Sequence, residues 1–210
     1  MQFSETAHKY IHNGKVYQSV TQYIKQWEVP FNKELIAEKT ALKNNRDTQD
    51  VLDEWETVGE IAVDYGNSIH KGIECWVKYG RLPSTTHIAF AVEQWAELFD
   101  RTEFISELCV YDEDRLLAGT IDLLKRNGRE IEIHDIKTNG DLHKAQKFIE
   151  PYAYLKDKLG EYRLQLTEYK KMIEKLGFTV TKLIIHHWDG EKWNLVPIEE
   201  ALPKKITIII

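Results

Sequence analysis

The chain has 210 residues, enough for one well-cored domain or at most two small ones. A formal net charge of −6 argues against a protein that coats nucleic acid through bulk positive charge, though not against an enzyme with a local basic groove. No apolar run approaches the ~20 residues of a membrane span, the first residues do not read as a signal peptide, and Cys75 and Cys109 match no zinc or iron–sulfur spacing, so a cytoplasmic protein with reduced thiols and no membrane partner is expected.

In chain order, residues 3–17 alternate loosely around Asn13-Gly14 and predict a small hairpin. Ser19-Val20-Thr21 reads as the cap of a helix over 22–27 that stops ahead of Pro30. A second helix is expected over 32–45, with Leu35, Ile36 and Leu42 as its apolar contribution. Residues 47–53 are polar and read either as a loop or as continued helix. Stronger helical spacing over 55–79 runs through Trp55, Val58, Ile61, Ala62, Ile69, Ile73, Trp76 and Val77, ending at Gly80 and Pro83. Residues 89–100 form another helix, with Phe90, Trp95, Leu98 and Phe99 on its apolar side.

From Phe104 the period changes to two. Residues 104–111, 116–125 and 130–138 predict a three-stranded meander. A short helix over 141–149 and a longer one over 161–176 follow, then a strand pair, 178–188 and 192–197, around Asp189-Gly190. The tail, KKITIII, is β-prone and apolar, and must pair or pack. The order indicates an α/β (α+β) protein with a mixed central sheet flanked by helices. One domain over 1–210 is expected, mainly helical in 1–100 and with its sheet core in 101–210.

The chemistry gathers at the second hairpin of the meander, which turns at Asn127-Gly128. Along its second strand Ile131, Ile133, Asp135 and Lys137 share one face, while Glu132, His134 and Ile136 share the other. Asp122, on the first strand, can lie across from Asp135. Two carboxylates and a lysine converging behind apolar residues are costly without a cation or a catalytic task. Upstream, His70 and Glu74 are i,i+4 neighbours at the edge of the stripe Ile69, Ile73, Trp76. Downstream, Gln165 interrupts an apolar stripe one turn before Tyr169, either as a buried hydrogen-bonded pair or as part of the site.

The series Gly-x-x-x-His (66–70), Gly-x-x-Asp (119–122), Asp-x-Lys-Thr (135–138) and Gln-x-x-x-Tyr (165–169) resembles, in order and setting, the PD-(D/E)XK nuclease superfamily, and within it the RecB-like and phage-type exonucleases. Ser19-Val20-Thr21 resembles the entry of the phage-type and mitochondrial single-strand exonucleases of that group. The resemblance covers about residues 17–190. It implies a restriction-endonuclease-like core and a metal-dependent DNA exonuclease acting on single strands or ends in recombination, repair or phage DNA metabolism. It further implies Mg²⁺ or Mn²⁺ held by Asp122, Asp135, His70 and the main-chain carbonyl of Ile136. Lys137 would orient or deprotonate the attacking water, and Gln165 and Tyr169 would brace the lysine and a phosphate. Glu74, Glu107 and Thr138 are candidates for an outer or second-metal role, and Ser19, Thr21, Lys43 and Arg46 for DNA contact. No iron–sulfur cluster is expected. The partners implied are DNA and a single-strand-binding, annealing or helicase protein. Lys43, Arg46, Lys144 and Lys147 read otherwise as solvated faces. Trp27, Trp55 and Tyr65 read as core, and His186-His187 as structural. Two other readings stay open: a catalytically silent DNA-end adaptor, and a metal-independent hydrolase using Asp122 and Asp135 as acid and base.

Overall fold

The computed structural model describes residues 2–4, 9–84 and 86–204. Its sheet is arranged around one strand, β5 (Leu117–Asn127). One edge of β5 is paired along most of its length with the antiparallel β4 (Phe104–Asp112). The other edge is divided. Its first two residues, Leu117 and Ala118, pair in parallel with the end of β3 (Lys15–Ser19). Its last five pair with β6 (Glu130–Lys137), and that ladder stops at Leu123↔His134. Between the two, residues 119–122 have no ladder partner on that side among the described residues. Beyond His134, β6 leaves β5 and stays with β7 (Thr179–Trp188), with which it runs parallel as far as Lys137↔His187.

The sheet is completed by β8 (Trp193–Pro197) beside β7 and by β2 (Lys9–His12) and β1 (Gln2–Ser4) beyond β3. Asn13-Gly14 closes the β2–β3 hairpin with both residues at positive φ, the geometry that favours this dipeptide. The parallel β6–β7 pair requires a crossover, supplied by α5 (Lys158–Lys175). The α/β class expected from the sequence, a mixed central sheet flanked by helices, is what the chain adopts.

The helices divide between the two sheet faces. On one, α1 (Val20–Ile24) and α5 pack Ile24, Leu166, Tyr169 and Ile173 against Ile121, Leu124, Ile131 and Ile133. On the other, α3 (Thr48–Tyr79) and α4 (Thr86–Leu98) pack Ile69, Ile73, Val92 and Trp95 against Leu123, Ile136 and Trp188. The alternation read from the sequence holds along β6: Ile131 and Ile133 lie under α5, and Ile136 lies under α3.

Several expectations fail for identifiable reasons. Residues 141–149 are irregular rather than helical, pinned by isolated bridges Glu28↔Phe148 and Ala145↔Asp157. Of the two readings left open for residues 47–53 the helical one holds, since Asp47 caps α3 through Gln49 N–H. In α2 (Lys33–Asn44) the expected apolar residues Leu35, Ile36 and Leu42 are exposed, and the small Ala37 and Ala41 make the contact with Val51. Val58 and Ile61 of α3 and Phe90 and Leu98 of α4 are likewise exposed, because each helix buries a narrower stripe than its apolar content suggests. Among the described residues no helix is long and apolar enough to cross a membrane. Cys75 carries a free thiol. The apolar tail from residue 205 lies outside the described residues.

His186 and His134 explain why two imidazoles tolerate the α3–α4 side of the sheet. The Trp95 indole N–H donates to His186 Nδ1 at 3.0 Å. Indole only donates, so His186 carries its proton on Nε2 and gives it to His134 Nδ1, 2.8 Å away. His134 then presents an Nε2 proton toward Glu132, 3.4 Å off and not aligned as a hydrogen bond. Burial lowers both rings, His134 to about 4 and His186 to about 3. Each is neutral in the fold and more easily protonated when unfolded. Its contribution is complete above the unfolded value near 6.5 and is lost as pH falls toward the folded value. Denaturant unfolding between pH 7 and 5 should therefore show stability falling below pH 6.5 by about 1.4 kcal/mol per unit for each histidine. His186→Gln should remove one share of that slope, and an unchanged slope would contradict the assignment.

Candidate active site

The divided edge of β5 is where the candidate residues meet. Asp122 stands at the position where the ladder to β6 has just ended, and its Oδ2 accepts a hydrogen bond from Ile136 N–H at 2.7 Å. A side chain thus takes over from a ladder bond and holds the diverging strand. The His70 ring approaches from α3, with Nδ1 3.5 Å from the same Oδ2. Glu107 comes from β4, on the far side of β5. His70, Glu107 and Asp122 each bring a ligand atom within 4.8 Å of the others.

Glu107 reaches this position through a left-handed backbone, φ 55°, in the middle of a strand. Non-glycine residues in that region cost on the order of 1–3 kcal/mol and persist only where surroundings hold them. Glu107 is exposed overall, yet partial burial, then the nearby charges of Asp122 and Glu74, push its carboxyl up to about 7. Burial also lowers the pKa of His70, outweighing the pull of Asp122, and leaves the ring neutral as a metal ligand must be.

Asp135 lies deeper, 1% exposed. The Lys137 ammonium comes within 2.5 Å of its Oδ2, but neither carboxylate oxygen has an aligned hydrogen-bond partner. Burial, and Asp122 beside it, raise the Asp135 pKa. Burial alone would lower Lys137, yet the negative charge of Asp135 and Asp122 prevails and keeps it cationic. Its ammonium also sits 4.7 Å from the centroid of the Tyr162 ring. A buried carboxylate without an aligned hydrogen bond, beside a second carboxylate, a neutral imidazole and a third acid, is an oxygen-rich donor set that suits a hard divalent cation.

The motif glycines have steric reasons. A Cβ on Gly119 would fall 2.4 Å from the Tyr169 ring, so its absence lets Tyr169 lie over β5 near Asp122 and Asp135. A Cβ on Gly66 would fall 2.7 Å from Thr138 Oγ1, so its absence lets α3 approach the end of β6 and brings His70 to Asp122. Gln165 Nε2 donates to the Tyr169 hydroxyl at 3.2 Å.

Other candidates lie elsewhere or are otherwise engaged. Glu74 forms an ion pair with Lys78 at 2.6 Å and no hydrogen bond to His70. Ser19 is buried and its hydroxyl caps α1, accepting from Gln22 N–H, while Thr21 is exposed. Arg46 pairs with Glu54 at 2.6 Å, and Lys43 is exposed on α2. Tyr162 went unrecognised in the sequence because it reads as one more residue of an apolar stripe. Its position one turn before Gln165–Leu166 was the available signal.

No family model matches the chain, and no curated protein matches it. Among solved structures it is similar to the crystal structure of a "putative exonuclease" from Eubacterium rectale, at a TM-score of 0.40 and 12% identity, over 87% of this chain and 73% of that one. A likeness at that score carries no argument, and a functional reading has to rest on the site's own residues.

The packing makes a double-mutant test. Gly66→Ala should destabilise by about 1–3 kcal/mol through the clash with Thr138. In a Thr138→Ala background the same change should be neutral or stabilising by up to about 1 kcal/mol, since alanine is the better helix former. Equal effects in both backgrounds, measured by urea unfolding, would rule out the close approach.

Proposed function

We propose that the chain is a divalent-metal-dependent nuclease that hydrolyses phosphodiester bonds in DNA, as an exonuclease on single strands or ends. The observation that carries this reading is Asp135, whose two buried oxygens lack a hydrogen-bond partner beside Asp122. Asp122, Asp135 and His70, with the Ile136 carbonyl, would hold Mg²⁺ or Mn²⁺. Glu107 would complete the set or serve a second ion, since it shares a ligand cluster with His70 and Asp122. Such an ion, when bound, lowers the pKa of a water ligand and draws charge from the phosphate.

The remaining work falls to the chain. Lys137, held cationic by its two acids, places positive charge where the pentavalent phosphorane becomes most negative. A lysine held in its protonated form is a poor general base, so orientation and charge stabilisation are its roles. The Tyr162 ring fixes one side of its ammonium. Tyr169, kept protonated by deep burial, offers a hydroxyl proton near the two acids, and Gln165 orients that hydroxyl by donating to it. Asp122 joins the two diverging strands through Ile136 N–H, so the ligand set and the fork share one support. Thr138 sets how close α3 comes, and thereby where His70 stands.

Asp135→Ala should abolish Mg²⁺-dependent release of nucleotides from end-labelled single-stranded DNA while the protein stays folded. Full activity in that variant would overturn the reading. Lys137→Ala should still bind the ion but turn over about 10²–10³-fold more slowly, comparable to losing one transition-state donor elsewhere. Ligand binding stabilises whichever state binds, so Mg²⁺ at 100 times its dissociation constant should add about 2.7 kcal/mol. That increment should vanish in Asp122→Ala, as thermal unfolding with Mg²⁺ or EDTA would register.

A further inference from the structure

Beside the candidate site lies a recess that the sequence left as scattered lysines. After α1 the chain makes a turn over Lys25–Trp27 and is then pinned to the segment before α5: Glu28 bridges Phe148, and Val29 N–H donates to Lys147 O at 2.8 Å. The same segment bridges Asp157 through Ala145, and Lys158 N–H donates to Lys144 O. These pairings bring two distant stretches and the start of α5 around a recess of about 530 Å³. That is within the range of pockets holding small-molecule ligands.

Its lining has one character on each side. Lys25, Lys144 and Lys158 contribute ammonium groups, and Phe31 contributes a ring that is 69% exposed. Lys158 is ion-paired with Glu161, whereas Lys25 and Lys144 are exposed and make no ion pair among the described residues. Glu28, also in the lining, is held above the usual carboxylate range by burial and by Glu161. One side chain outside the lining relates the recess to the site. The Tyr162 ring has Lys137 at 4.7 Å and Lys158 at 5.5 Å from its centroid. Two cations flanking one ring can engage neighbouring phosphates of one extended strand.

We propose that this recess holds one nucleotide of a single-stranded nucleic acid, adjacent to the phosphate at Asp135 and Lys137, with Phe31 stacked on its base and Lys25 and Lys144 on its phosphates. An aromatic side chain offers its face only to a base whose own face is free, which selects a single strand over a paired end. The proposal rests on the nuclease reading for the neighbouring phosphate alone.

Binding in EDTA separates the two. A fluorescent oligonucleotide of about 12 nucleotides and a duplex of the same length are titrated with the full chain by anisotropy. Phe31→Ala should weaken single-strand binding about 5- to 100-fold and leave duplex binding unchanged, while Phe31→Trp retains the wild-type affinity. The double change Lys25→Ala, Lys144→Ala should reduce the slope of log K against log salt by about 1.4. Thermal unfolding should stay within a degree or so of wild type in all three, since these side chains are exposed. Failure of the wild type to bind single strands, wild-type binding by Phe31→Ala, or equal losses on single strand and duplex would each overturn the proposal. Cleavage by the wild type with no effect of Phe31→Ala removes the recess and keeps the nuclease. The predicted binding pattern without any cleavage keeps the recess and removes the nuclease.

Discussion

Asp135 places a carboxylate almost out of water with no aligned hydrogen bond, an arrangement whose desolvation is worth several kcal/mol against folding. Three features offset that cost. Lys137 answers the charge with an ammonium that its neighbours hold cationic. Tyr162 backs that ammonium with a ring face. The apolar bulk on both sheet faces supplies the surplus, with Ile133 beneath α5 and Ile136 beneath α3 bracketing the residue in sequence. A chain built only for stability would put an isoleucine at this position and extend the run Ile131, Ile133. The acid is costly to the fold, and the core on either side offsets that cost.

That acid can be approached because the sheet divides beside it. The edge of β5 serves β3 at one end and β6 at the other, and the interval between them contains Gly119 and Asp122. Unpaired backbone in a buried sheet normally needs compensation. Here Asp122 provides part of it by accepting the Ile136 N–H, and Tyr169 covers Gly119. The fork, the ligand cluster and the glycine contacts are therefore one packing solution.

Much of this was legible because it is local. The alternation along residues 130–137 assigns faces correctly, and Asn13-Gly14 and Asn127-Gly128 mark turns through their backbone freedom. What the sequence did not reveal depends on long-range contact. Apolar residues such as Leu42 and Ile61 read as core, but burial is decided by which stripe a partner helix covers. Residues 141–149 carry helix-compatible side chains, yet bridges to Glu28 and Asp157 claim their backbone. Glu107 could be named as an acid near the site, but not its left-handed conformation, which sequence alone does not signal for a glutamate. Tyr162 and the lysine recess required the fold, since residues 25–31, 144–146 and 158 meet only through tertiary pairing.

The two glycine contacts also act as a ruler. Gly119 has to lie under Tyr169 while Asp122 has to stand where β6 departs, so the three-residue interval between them has no freedom in length. The same applies to Gly66 and His70, one helical turn apart, because the first sets the height of α3 and the second uses it. Length is freer at turns away from these contacts, such as Asn13-Gly14, where a Cβ on Gly14 would meet nothing within 4 Å. Insertions accepted during divergence would collect at those turns, and the distances inside each motif would outlast most of the amino acids around them.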